Sequence, residues 1–148
     1  MDEDTFFANL KAVRQAAGDR GTLRAVHVFA ENHRVAKQTQ ALQEGDFDTF
    51  LHYVTESGIS SWRLLQNVVP AGRKENQEVA YCLAVAQQLL GGHGACRVHG
   101  GGFAGTIQAF VPLDILEAFR TGIDAVLGEG ACHVLSIRPQ CGVPVVKE

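Results

Sequence analysis

Apolar residues recur at helical spacing through the first ninety positions, and glycines separate the segments. Phe6, Leu10 and Val13 predict a short helix that Gly18 closes. Residues 23–42 then form a longer helix with an apolar stripe, made by Val28, Phe29, Val35, Ala36 and Leu42. The opposite face carries the polar residues Arg24, Glu31, Lys37 and Gln40. Such a stripe is expected to face the core.

Two further helices and a short helical turn follow. Residues 47–54 predict a helix that breaks near Gly58, and residues 62–65 predict one or two turns more. A polar loop at residues 70–76 precedes the last helix of this half, which runs from Val79 to Leu90 and stops at glycines.

Beyond residue 94 the period changes from helical spacing to alternation. Residues 95–99 and 106–111 predict two strands joined by a glycine-rich loop, followed by a helix over 113–127 and a strand near 132–137. The segment 143–146 could add an edge strand. This order predicts one α+β domain over residues 1–148, with helices on one face of an antiparallel sheet and an exposed edge open to self-association.

Composition narrows the class of protein. A chain of 148 residues is long enough to bury a hydrophobic core. Its net charge of −3 argues against binding to nucleic acids or to anionic membranes. The sequence shows neither a signal peptide nor an apolar run long enough to span a bilayer. We therefore expect a cytoplasmic protein whose cysteines are reduced thiols: Cys82, Cys96, Cys132 and Cys141.

The loop RVHGGGFAGT carries the strongest chemical signal. Four glycines among six residues, Gly100–Gly102 and Gly105, favour positive φ angles or close approach of another group. A dinucleotide fingerprint needs a helix here, and a protein-kinase loop needs lysine and aspartate motifs that are missing from the sequence. A bulged hairpin remains the plain alternative.

The segment from Cys96 to Gly105 resembles the third conserved motif of galactokinases, within the GHMP small-molecule kinase superfamily. Upstream, HVFAENHRV, ALQEGDF and TES are similar to the helical run of the galactokinase C-terminal domain, so the resemblance covers residues 23–139. It implies a ferredoxin-like C-terminal domain. It also implies an intact chain that phosphorylates galactose at C1 with ATP and Mg²⁺.

The resemblance assigns the chemistry to an N-terminal GHMP domain of the same parent chain. No catalytic residue and no metal ligand is expected in this segment, which alone should be inactive and bind no cofactor. The glycine loop, with Phe103, is expected to form a wall of the substrate and nucleotide cleft. A side chain at any of Gly100, Gly101 or Gly102 would hold that wall away from its partner.

Several departures and look-alikes keep alternatives open. Arg97 and His99 could support the loop or cleft, or be a surface residue and a strand-end histidine. GISSW at 58–62 only imitates an ATP loop, and Cys96-x-x-His99 is a weak zinc signal. Glu31 is expected to be a salt-bridge or packing partner rather than a catalytic base. Ala104 and the loop 68–78 depart from the family pattern. Another sugar 1-kinase, or a non-catalytic module that senses a small molecule or binds a partner protein, is the alternative function.

Overall fold

The computed structural model describes residues 1–103 and 105–137. Along this part of the chain the elements are α1 (Glu3–Ala8), α2 (Leu10–Glu44), α3 (Phe47–Ser60), α4 (Glu78–Leu90), β1 (Ala95–Val98), β2 (Ile107–Phe110) and α5 (Leu116–Leu127). A π-helical turn, Ser61–Leu65, continues α3 directly. The predicted α+β class is confirmed.

Short polar side chains and glycines set the helix ends. Asp2 and Asp46 accept backbone N–H groups at the start of α1 and α3, as N-caps do. Gly18 has φ 71° and ψ 173°, so it divides α2 into helical parts at 10–17 and 19–44. The prediction that a first helical segment closes at Gly18 is confirmed.

The strands β1 and β2 form an antiparallel hairpin in which Ala95 pairs with Phe110 and Val98 with Ile107. Because side chains alternate along a strand, Cys96 and Val98 face the core cluster, whereas Arg97 faces α3. Phe110 lies on this second face, with its ring centroid 5.2 Å from that of Phe50 in α3.

Helices therefore contact both faces of the hairpin, where the sequence predicted helices on one face. The physical reason is that β1 buries residues on both sides. Ala95, Cys96 and Val98 are all less than a tenth exposed. The main core is formed by the hairpin, α4, α5 and Val68, and its buried members are Val68, Val79, Leu83, Ala86, Leu90, Cys96, Val98, Phe119 and Ile123.

Helix α2 does not turn the predicted apolar stripe toward the core, although Arg24, Lys37 and Gln40 are exposed as predicted. Val28, Val35 and Leu42 are each about half exposed, whereas His27 and Ala41 are buried. The prediction of an inward apolar stripe is wrong because α2 packs on α3 and β1 through paired polar groups, which can be buried when each finds a hydrogen-bonding partner.

Two further predictions differ from the structure. Gly58 does not break the third helix, because α3 continues through it to Ser60. Residues 132–137 do not form a strand, and Leu135 and Ile137 are almost fully exposed. Within the described residues the sheet has two strands, so nothing there pairs with this apolar segment. The predicted edge strand at 143–146 and Cys141 lie outside the described residues.

Candidate functional site

The glycine-rich loop connects β1 to β2 at the closed end of the hairpin. The ladder extends one step past the strands, because the His99 N–H donates to the Thr106 carbonyl at 3.1 Å. Gly100, Gly102 and Gly105 have φ angles of 61°, 76° and 83°, as predicted for this run. His99 and the loop residues Gly100, Gly101, Phe103 and Gly105 are exposed, whereas Gly102 is half-buried.

One residue outside the loop holds its tip. The backbone carbonyl of Asn67 accepts the Phe103 N–H at 3.0 Å, and Asn67 Nδ2 donates to the Gly101 carbonyl at 3.2 Å. Between these two bonds lies Gly102, where an added Cβ would overlap the Asn67 carbonyl oxygen and lie 2.7 Å from Asn67 Cβ. The close approach predicted for the loop is thus made at Gly102 by the chain itself.

Backbone strain is concentrated on both sides of this contact. Gln66, directly before Asn67, and Phe103 have φ angles of 54° and 58°. Among the described residues these are the two non-glycine positions with positive φ. A non-glycine residue in that region persists only where its surroundings hold it there, and such positions cluster at ligand clamps and active sites.

Arg97 does not point toward the loop. Its guanidinium donates to Ser57 Oγ, lies 3.3 Å from Glu31 Oε1, and approaches Ser61 Oγ at 3.4 Å. With a quarter of the side chain exposed, this arginine joins β1 to α3 and α2. Gly58 makes the contact close, because a Cβ there would lie 2.9 Å from Arg97 Cβ.

Glu31 is the carboxylate of this network, and it forms salt bridges with both Arg34 and Arg97. Arg34 Nε donates to Glu31 Oε2 at 2.8 Å, and Ser57 Oγ donates to Oε1. Burial raises the pKa of Glu31, but the hydrogen bonds from Ser57 and Arg34 and the charges of Arg34 and Arg97 together outweigh it. The pKa of Glu31 is therefore held below its ordinary value.

His27 is buried one helical turn before Glu31, and its Nδ1 is hydrogen-bonded to Ser60 Oγ at 2.9 Å. Burial lowers the pKa of His27; the Glu31 charge opposes this, and the positive charges of Arg34 and Arg97 add to it. The neutral imidazole is thus the form that the fold holds. His27 is thus paired with Ser60, and the ionised Glu31 with Arg34 and Arg97, so both groups hold α2 in place in the fold.

The segment GISSW at 58–62 is helical and partly buried, with Ser60 and Ser61 engaged by His27 and Arg97. A phosphate loop needs free backbone N–H groups, which a continuous helix does not offer. Beside it, Trp62, Arg63, Gln66, Val68 and Val69 line a shallow open depression.

Sequence reasoning missed Asn67, because an asparagine after a helix is an ordinary turn residue.

The cysteines are structural in their surroundings. Burial raises the pKa of the Cys96 thiol to about 11. The pKa values of the Cys82 and Cys132 thiols are also raised, chiefly by burial. All three are free thiols. Over residues 1–103 and 105–137 there is no group of three His, Cys, Asp or Glu side chains suited to a metal ion.

Comparison with known proteins shows similarity to bacterial galactokinases. The chain is 32% identical over 114 residues to the galactokinase of Glaesserella parasuis and 32% identical over 114 residues to that of Mannheimia succiniciproducens. It is 34% identical over 97 residues to the galactokinase of Pasteurella multocida. The chain is related to the galactokinases. No protein-family model matches it.

The match covers most of this chain but only a small part of each galactokinase. It covers 77% of this chain but 28% of the Glaesserella galactokinase, and 66% of this chain but 23% of the Pasteurella galactokinase. The chain thus spans less than a third of the length of the galactokinases it matches, which is consistent with a C-terminal part of such a protein. None of the described helices is long and apolar enough to cross a membrane.

Proposed function

We propose that this chain is the C-terminal part of a galactokinase-type sugar kinase. The intact polypeptide transfers the γ-phosphoryl group of ATP to the C1 hydroxyl of galactose, and the glycine loop forms one wall of the cleft. The relationship to galactokinases and the short span of the match support this proposal. The N-terminal GHMP domain of the same polypeptide is the partner that lies against the loop.

Gly101 is the observation that carries the proposal. A Cβ at Gly101 would meet no other atom of the described residues within 4 Å, and its φ lies outside the left-handed region. Neither backbone conformation nor packing within this part of the chain therefore requires glycine there. A glycine with open space around it, at the exposed tip of a held loop, suits close approach by a second domain or its substrates.

The contribution of this chain is positioning. Phosphoryl transfer depends on holding donor and acceptor in line and on stabilising charge. The described residues of this chain do not fit a Mg²⁺ site, because no cluster of three His, Cys, Asp or Glu side chains is suited to a metal ion and Glu31 is already paired with arginines. ATP and Mg²⁺ are therefore assigned to the N-terminal portion. Phe103 and the loop glycines exclude water from the cleft, His99 lies at its margin, and Arg97 supports it from behind.

The test is Gly101→Val in the full natural polypeptide that contains these residues, with ADP release measured on galactose and its epimers. We expect kcat/KM to fall about a hundredfold or more, since a misplacement of about 1 Å at reacting groups can cost that much. The melting temperature of the isolated 148-residue chain should not change. Ala71→Val, in an exposed turn, adds similar bulk away from the loop and is the control.

Four results would contradict parts of the proposal. Full activity of Gly101→Val would show that nothing approaches the loop in the reaction, and ATP-dependent turnover by the 148-residue chain alone would contradict the assignment of catalysis to the N-terminal portion. Binding of galactose without any phosphorylation by the full natural polypeptide would favour the non-catalytic module. Preference for an epimer of galactose would identify a different sugar 1-kinase.

A further inference from the structure

Asn67 is the one contact through which the described chain fixes the tip of the glycine loop. Its carbonyl accepts from Phe103, and its side chain donates to Gly101. These bonds lie on either side of Gly102, which has no room for a side chain. Three consecutive loop residues are thus held by one residue, which lies 34 positions before Gly101 in the sequence and outside the two strands.

The anchor is itself fixed to the core. Asn67 is 3% exposed, and the next residue, Val68, is 1% exposed and belongs to the main core with Val98 of β1. On its other side is the left-handed Gln66, which ends the π-helical turn. A change in the loop therefore cannot be absorbed by movement of Asn67 alone, because its neighbours on both sides are held.

Asn67 also retains an unused polar atom. Its Oδ1 is buried and has no hydrogen-bond partner among the described residues. A buried polar group without a partner is costly and rare. An asparagine that served packing alone would be better replaced by an apolar residue of similar size. Its cost is explained if the orientation of the loop depends on this side chain.

We propose that Asn67 is a positioning residue for the phosphoryl-transfer reaction. It touches no substrate, and it acts by holding Gly101, Gly102 and Phe103 in the one conformation that fits the opposing domain. This inference rests on the proposed function for its kinetic consequence. The geometric part, that Asn67 orders the loop, stands on this chain alone.

The test uses Asn67→Asp and Asn67→Ala in the full natural polypeptide. Asn67→Asp keeps the shape but places a carboxylate oxygen where Nδ2 donated to the Gly101 carbonyl, and Asn67→Ala removes the donor without adding charge. Asn76→Asp, the same chemical change in the exposed loop before α4, is the matched control. Hydrogen exchange of peptides covering residues 99–105 measures loop order, and steady-state kinetics measure the reaction.

In both Asn67 variants we expect exchange at residues 99–105 to accelerate about tenfold or more, with exchange in α4 unchanged. The kcat should fall about tenfold or more, while KM for the sugar stays within about threefold, because a positioning defect is felt mainly in the transition state. A residue that only stabilised the fold would lower the melting temperature and leave kcat of the folded enzyme intact.

Each outcome decides one part. Unchanged exchange at 99–105 overturns the ordering role, and faster exchange with unchanged kcat overturns the positioning role. If neither Asn67 variant folds while Asn76→Asp does, Asn67 is a residue of the fold and the inference is wrong. If the wild-type polypeptide phosphorylates no sugar, the proposed function fails, and hydrogen exchange still judges whether Asn67 orders the loop.

Discussion

Gly102→Ala compared with Gly101→Ala tests whether the loop is held by the chain itself. The two glycines are adjacent and both lie at the loop tip, so the same chemical change is made at nearly the same place in the chain. They differ in surroundings. An added Cβ at Gly102 would overlap backbone and side-chain atoms of Asn67 at a φ of 76°, whereas at Gly101 it would meet open space.

The magnitude follows from what Gly102→Ala must release. Backbone overlap cannot be relieved by a rotamer change, so the loop must leave Asn67 and give up two hydrogen bonds. Each is worth about 0.5–1.5 kcal/mol net, and the buried groups of Asn67 left without partners cost about 1–3 kcal/mol. We expect the free energy of unfolding to fall by about 2–6 kcal/mol, which lowers the melting temperature by about 4–24 °C in a chain of this size.

The assay is urea and thermal denaturation of the 148-residue chain, followed by circular dichroism. Gly101→Ala should stay within about 0.5 kcal/mol of the wild type or be slightly more stable, since a glycine in an ordinary conformation gains from the substitution. Equal effects of the two substitutions, or no effect of Gly102→Ala, would refute the close contact with Asn67.

Four other predictions follow from the network, the thiols and the sheet. Because burial holds the pKa of His27 below 6.5, the unfolded chain binds more protons below that pH, and the free energy of unfolding should fall on acidification. His27→Gln should flatten that dependence between about pH 5 and 7 in urea titrations; an unchanged slope contradicts it. Glu31→Gln should cost about 2–3 kcal/mol by chemical denaturation, because two arginines lose their carboxylate, while the exposed Glu56→Gln should be nearly neutral. With its pKa near 11, Cys96 should be alkylated by iodoacetamide at about pH 8 far more slowly than Cys132 in peptide mapping, and equal labelling would be inconsistent with its burial. Self-association through the exposed edges of the hairpin should appear as a rise in apparent mass with concentration in light scattering, and a constant monomer mass would exclude it.

The sequence was sufficient where burial follows residue type. The helix predicted from Val79 to Leu90 is α4, and its apolar residues Val79, Leu83, Ala86 and Leu90 are all buried. The hairpin was equally readable, since alternation and a glycine loop specify antiparallel strands without reference to the rest of the chain.

The inner face of α2 could not be read in this way. His27, Glu31 and Arg34 follow helical spacing, but polar residues are assigned to solvent unless their partners are known. Those partners, Ser57 and Arg97, lie 26 and 66 positions away from Glu31. Asn67 was missed for the same reason, because its partners are backbone groups of the loop and leave no mark in the pattern of side chains.

The polar inner face of α2 has a mechanical consequence. Apolar packing is non-directional, so a helix held by it can slide a little at small cost. Hydrogen bonds between Glu31, Ser57 and Arg97 are directional, and the next equivalent position along α2 is a full turn of about 5.4 Å away. We therefore expect α2, α3 and β1 to move as one rigid unit. A displacement of α2 would then also displace, through Arg97, the strand that leads into the glycine loop.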